Sequence, residues 1–144
     1  MSFLDKLKGL FGGKKEEPSL YAALEKQVDA LENKLLISEQ QKRIEGGIDG
    51  FDMAYEETRQ MLQGYSGEGA GQEALQMLRT RMTLAHKVAH LLREEDPAKK
   101  RRLCQEFVAE FRPLRDTLHY RTKTKYERIR IDFESGRLGG VSKT

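Results

Sequence analysis

Two histidines, His86 and His90, stand four residues apart in the stretch HKVAH, and Glu94 follows one helical turn further on. One helix can offer several metal ligands at this spacing. A metalloprotease helix would carry glutamate directly after its first histidine, and Lys87 occupies that position. A di-iron bundle draws histidines and carboxylates from several helices, whereas His119 is the only other histidine in the chain. On a helical wheel His86 borders the apolar stripe, while His90 and Glu94 turn toward the polar arc with Lys87. The sequence therefore reads these groups as boundary or solvated side chains, and it assigns no metal and no cofactor.

The other reactive residue types yield no catalytic constellation. Cys104, the single cysteine, follows KKRR, which could lower a thiol pKa, but it lies between Leu103 and Phe107 inside a helical pattern, where cysteine is a small buried hydrophobe. The glycine-rich GYSGEGAG at 64–71 follows no strand and lacks the lysine and hydroxyl residue that close a P-loop, and Glu68 and Glu73 would repel a phosphate. No serine, histidine and aspartate share a supporting motif. The expectation is a protein without enzymatic activity.

Charge supplies a stronger signal. Residues 1–15 hold four lysines against one aspartate, residues 16–96 are net −7, and residues 97–144 are net +7, so an acidic middle separates two basic ends. In the C-terminal third, Lys99, Lys100, Arg101, Arg102, Arg112, Arg115, Arg121, Lys123, Lys125, Arg128 and Arg130 are interleaved with His119, Tyr120 and Tyr126. Such a set can be the solvated face of a bundle, or it can meet anionic lipid, an acidic protein or nucleic acid. Arg121 and Arg128 fall on one side of a helical wheel, Lys123 and Arg130 on the other, and Glu127, Asp132 and Glu134 dilute the charge. A continuous groove-filling stripe does not form, which makes nucleic acid the secondary expectation.

The elements that must carry these residues read as helices. Charged residues make up 34% and apolar residues 38% of the 144, a balance suited to a thin all-α bundle, and the three prolines at 18, 97 and 113 leave room for long helices. Ser19 caps a first helix whose Leu24, Val28, Leu31 and Leu35 keep three- and four-residue steps until Gly46 and Gly47. This stripe is expected to be either a bundle face or a self-association surface. A second helix begins near Asp49 or Asp52 and runs to about Gln63, carrying Phe51, Tyr55, Met61 and Leu62 inward. The third spans Gln72 to about Arg93 with an apolar arc wider than half its circumference, which predicts a central position. Asp96 and Pro97 form a helix start, and Leu103, Phe107, Phe111, Leu114 and Leu118 line the fourth helix, kinked or split by Pro113. The RIRIDF stretch alternates as a strand would, but Thr122, Tyr126, Ile129 and Phe133 favour a helix, since no partner strand is recognised. A loose tail follows from 136.

The chain opens with MSFLDKLKGLFGGKKEE. At about 100° per residue, Phe3, Leu4, Leu7, Leu10 and Phe11 fall inside an arc of about 120°, flanked by Lys6 and Lys8. Such a helix lies flat on a bilayer: the apolar side chains enter the acyl boundary while Lys6, Lys8, Lys14 and Lys15 meet anionic headgroups, each basic residue contributing about 1 kcal/mol. Gly12 and Gly13 act as a swivel. The competing arrangement packs the same face on the protein's own bundle. Residue 2 is serine, not the glycine that N-myristoylation requires, so the helix is expected to act without that lipid. In pattern this segment is similar to the amphipathic membrane-targeting helices at the ends of some bacterial cell-division and cytoskeletal proteins, which implies attachment to a membrane surface.

The combined expectation has three parts: a membrane-surface helix and linker over 1–17, a helical bundle over 18–135, and a tail over 136–144. It describes a cytoplasmic scaffold or adaptor, peripheral at the inner face of a membrane, whose partners are anionic lipid and proteins, including copies of itself.

Overall fold

The computed structural model describes residues 20–38, 40–65 and 71–136. Helix α1 spans Leu20–Asn33, β1 Leu35–Ile37, β2 Lys42–Ile44, α2 Gly47–Gln63, α3 Gln72–Arg93, α4 Pro97–Leu114 and α5 Tyr120–Glu134, with a 3-10 turn over Arg115–Thr117 between the last two helices. The architecture is an all-α bundle with one small hairpin. The membrane-surface residues Phe3 to Lys15 lie outside the described residues, as do most of the glycine-rich connector and nearly all of the tail.

Helix α3 occupies the centre, packed against α1, α2, α4 and both strands. Its wide apolar arc is the cause: Leu75, Leu78, Met82, Leu84, Ala85, Val88, Ala89 and Leu91 are all buried, and a helix apolar around most of its circumference must be covered on most sides. Its neighbours supply Leu24, Val28 and Leu31 from α1, Phe51 and Met61 from α2, Phe107 and Phe111 from α4, and Tyr126 and Ile129 from α5. Each large apolar side chain fully buried contributes about 1.5–3 kcal/mol relative to exposure. Among the described residues, the large apolar side chains left exposed are Met53, Tyr120 and Ile131.

The α1 stripe needs correction. Leu24, Val28, Leu31 and Leu35 are 0–1% exposed, so they are the inner face of this domain and present no surface to a second copy. The first helix also stops twelve residues short of the glycines, at Asn33. Leu35 continues the helical spacing but belongs to a strand, and it pairs with Ile44 across an antiparallel hairpin in which Leu36 faces Arg43 and Ile37 faces Lys42. Ser38 makes the turn: its Oγ accepts from the backbone N–H groups of Gln40 and Gln41 at 3.2 and 3.1 Å, while its own N–H donates to the Gln41 carbonyl at 2.8 Å. Glu45 N–H donates to the Lys34 carbonyl at 2.7 Å and extends the ladder. The chain then enters α2 through Gly46 and Gly47, both in the left-handed region with φ of 80° and 79°, where a β-carbon would be strained.

The later boundaries follow local chemistry. Asp96 Oδ2 accepts from Lys99 N–H at 3.1 Å and Pro97 stands at the start of α4, as expected. Pro113 lies in the last turn of this helix. The helix ends one residue later at Leu114, and Leu118 reaches the core from the connector instead of from the helix. His119 Nδ1 then accepts from Arg121 N–H at 3.3 Å and caps α5, which contains the whole of RIRIDF.

Candidate functional site

Three polar regions are built on this frame. The first is a cleft of about 520 Å³ between α1, α3 and the start of α5, lined by Glu25, Asp29, Arg81, Arg121, Thr122 and Lys125 among others. At its base, Arg81 from α3 donates through Nε and Nη2 to the two oxygens of Glu32, at 3.0 and 2.6 Å, and through Nη2 to Asp29 at 2.5 Å. Thr122 Oγ1 donates to Glu32 Oε1 at 2.9 Å, and Lys125 Nζ donates to the Glu32 carbonyl at 2.7 Å. Burial opposes the charge on Arg81, but the hydrogen bonds and negative charge of Glu32 and Asp29 outweigh it and raise the guanidinium pKa. Burial lowers the Lys125 pKa, and the charge of Glu32 partly restores it. These buried groups are used up on one another, so the assembly locks α1, α3 and α5 together.

The second region is the C-terminal basic set, much of which is paired within the chain. Arg112 reaches Glu134 at 2.6 Å, Arg115 reaches Glu127 at 3.0 Å, Arg130 reaches both Glu127 and Glu134 at 2.6 Å, and Arg128 lies 3.8 Å from buried Asp132, which Lys42 also contacts. Arg102 approaches Glu106 at 4.0 Å. Lys99, Lys100, Arg101, Arg121 and Lys123 form no ion pair among the described residues. They do not share one helix, because the first three lie at the start of α4 and the other two at the start of α5.

The third region joins α2 to the C-terminal end of α3. His86 and His90 lie one turn apart with ring centroids 4.3 Å apart, and the ring of Tyr55 rests 4.5 Å from that of His86. Asp52 Oδ1 accepts from His90 Nε2 at 2.8 Å. One donor atom from each of Asp52, His86 and His90 lies within 4.8 Å of the others, which makes this the group among the described residues able to hold a metal ion. Burial, then the neighbouring His90, lowers the His86 pKa and favours its neutral imidazole. Glu94 plays no part here; its carboxylate turns away to accept from Asp96 N–H at 3.1 Å.

The histidine pair was legible in the sequence, whereas Asp52 was not, because its approach depends on how α2 packs on α3. Glu32 and Arg81 were also missed, since charged residues on surface-like positions carry no local sign that they will be buried. Cys104 is buried among apolar side chains, and burial pushes its thiol pKa up to about 12, which is the inert state expected of a core cysteine. No helix among the described residues is long and apolar enough to cross a membrane. Compared with protein-family models, curated proteins and solved structures, the chain matches none.

Proposed function

We propose that this protein is a non-enzymatic adaptor that attaches to an anionic membrane surface through residues 3–15 and presents its helical bundle to protein partners. The observation that carries this reading is the amphipathic pattern at the amino end, with two phenylalanines and three leucines on one arc edged by lysines. The bundle's own economy supports it: α1 to α5 and the hairpin supply a continuous core to one another, and the exposed large apolar side chains of the described residues are isolated on α2 and α5. Internal pairing of Arg112, Arg115, Arg128 and Arg130 leaves fewer cations for a polyphosphate, so lipid and protein are favoured over nucleic acid as the anionic partner.

Liposome co-sedimentation tests the proposal. The intact chain should pellet with vesicles containing phosphatidylserine and much less with phosphatidylcholine alone, and removal of residues 1–13 should abolish pelleting. Equal pelleting of the shortened chain would overturn the assignment. Retention on DNA or RNA that weakens steeply with salt, without lipid binding, would favour a nucleic-acid role instead.

A further inference from the structure

We propose that Asp52, His86 and His90 form a binding site for a divalent transition-metal ion of the zinc type. Two imidazoles and one carboxylate are a nitrogen-rich donor set that suits zinc, cobalt, nickel and copper, and it is a poor match for calcium or magnesium, which take oxygen ligands. Metal–ligand bonds of about 2.0–2.2 Å place tetrahedral donors roughly 3.4 Å apart. The donor atoms here already lie between 2.8 Å, for His90 Nε2 to Asp52 Oδ1, and 4.8 Å, so rotamer adjustments suffice to gather them.

The surroundings favour an ion at this point. His86 makes no hydrogen bond among the described residues, so its ring nitrogens are not committed to another partner, and one of them already lies within 4.8 Å of the donor atoms of Asp52 and His90. Tyr55 packs on that ring and limits its motion. His90 stands in the last turn of α3, at the negative pole of the helix, and a cation is stabilised there. The side chains of Asp52 and His90 remain 44% and 37% exposed, which leaves water access to the remaining coordination position. As the ion enters, it takes the place of the hydrogen bond between His90 Nε2 and Asp52: the neutral ring carries its one proton on Nδ1, and the Nε2 lone pair is free to bind. Three ligands and an open position describe an exchangeable site that ties α2 to α3, unlike a closed four-ligand structural site.

The chain contains only three histidines and one cysteine, which makes the assignment clean to test. Cys104 is buried and protonated, and His119 is occupied in capping α5. The full chain is titrated with zinc chloride by calorimetry, and in parallel its imidazole nitrogens are followed by NMR. One ion per chain should bind, the ring nitrogens of His86 and His90 should shift while those of His119 stay in place, and melting should rise by several degrees. His86→Ala and His90→Ala should each weaken binding by at least about 10-fold, Asp52→Asn should weaken it by a similar factor, and His119→Ala should leave it unchanged. Absence of saturable binding, or ring shifts confined to His119, would overturn the site. The NMR readout on the unaltered chain decides the matter even if a histidine variant fails to fold.

Discussion

The Glu32–Arg81 pair and the Asp52–His90 pair both join an acid on one helix to a base on α3, yet they stand in opposite physical states. Arg81 and Glu32 have side chains only 10% and 5% exposed, and Thr122 and Asp29 complete their hydrogen bonding. Asp52 and His90 share a single hydrogen bond and remain roughly 40% exposed, beside a second histidine with no hydrogen bond among the described residues. Saturation separates structural charge from available charge. A buried ion pair whose lone pairs are filled holds helices in register, whereas a half-exposed pair joined by one hydrogen bond can give up that bond to a cation.

The sharpest way to break this contrast is to remove one partner from each pair. Arg81→Met should cost about 3–5 kcal/mol in urea denaturation, because it leaves the buried Glu32 carboxylate without its charged partner. The double variant Arg81→Met with Glu32→Leu should recover much of that loss, since no charge is left unpaired. Asp52→Asn, measured without metal, should cost no more than about 1 kcal/mol, as exposed pairs do. Comparable losses for Arg81→Met and Asp52→Asn would erase the distinction.

A smaller effect sharpens the state of the histidine site. His86 has a folded pKa below its ordinary 6.5, through burial first and then the adjacent His90 and Lys87, against the opposing charge of Asp52. The unfolded chain therefore takes up a proton at a higher pH than the folded one. Stability is full above about pH 6.5 and falls as the pH drops from there toward the lowered folded value. Urea midpoints at pH 7.5, 6 and 5 should decline for the unaltered protein and decline less for His86→Phe. Glu127, held below 4.5 chiefly by its hydrogen bond from Arg130, titrates below this window. Parallel slopes in the two proteins would show that His86 is open to solvent in the folded state.

The contrast also explains what the sequence could reveal. Features set by neighbours within a turn or two were legible: the Asp96–Pro97 start of α4, the wide apolar arc of α3, the i,i+4 spacing of His86 and His90, and the presence of Glu127, Asp132 and Glu134 as counter-charges for the last arginines. Features set across the fold were hidden. Arg81 and Glu32 are 49 residues apart, Thr122 and Glu32 are 90 apart, and Asp52 meets His90 over 38. The hairpin was missed for a different reason. Leu35 satisfies the helical stripe and the strand equally well, and the turn carries no Asn-Gly or Asp-Gly signal because the Ser38 hydroxyl makes it. Without that hairpin, Leu35 extends the α1 stripe by a further turn, which is what gives it the length of a self-association surface.

Tyr126 gives the finest test of saturation as the governing variable. Its ring is fully buried, edge-on to Phe107 and Phe111 at 5.5 and 5.9 Å, and its hydroxyl has no hydrogen-bond partner among the described residues. Burial, with the nearby charge of Glu32, raises its pKa well above the usual phenol value, so the group stays neutral. A buried unpaired hydroxyl costs about 1–3 kcal/mol of desolvation, and removing it returns part of that while leaving a void of only one oxygen. Tyr126→Phe should therefore leave the urea midpoint unchanged or raise it slightly, the reverse in sign of Arg81→Met although both side chains are buried. A loss above about 1 kcal/mol would mean that the hydroxyl is held by a bound water, and Tyr126 would then belong with Glu32 and Arg81 among the saturated groups.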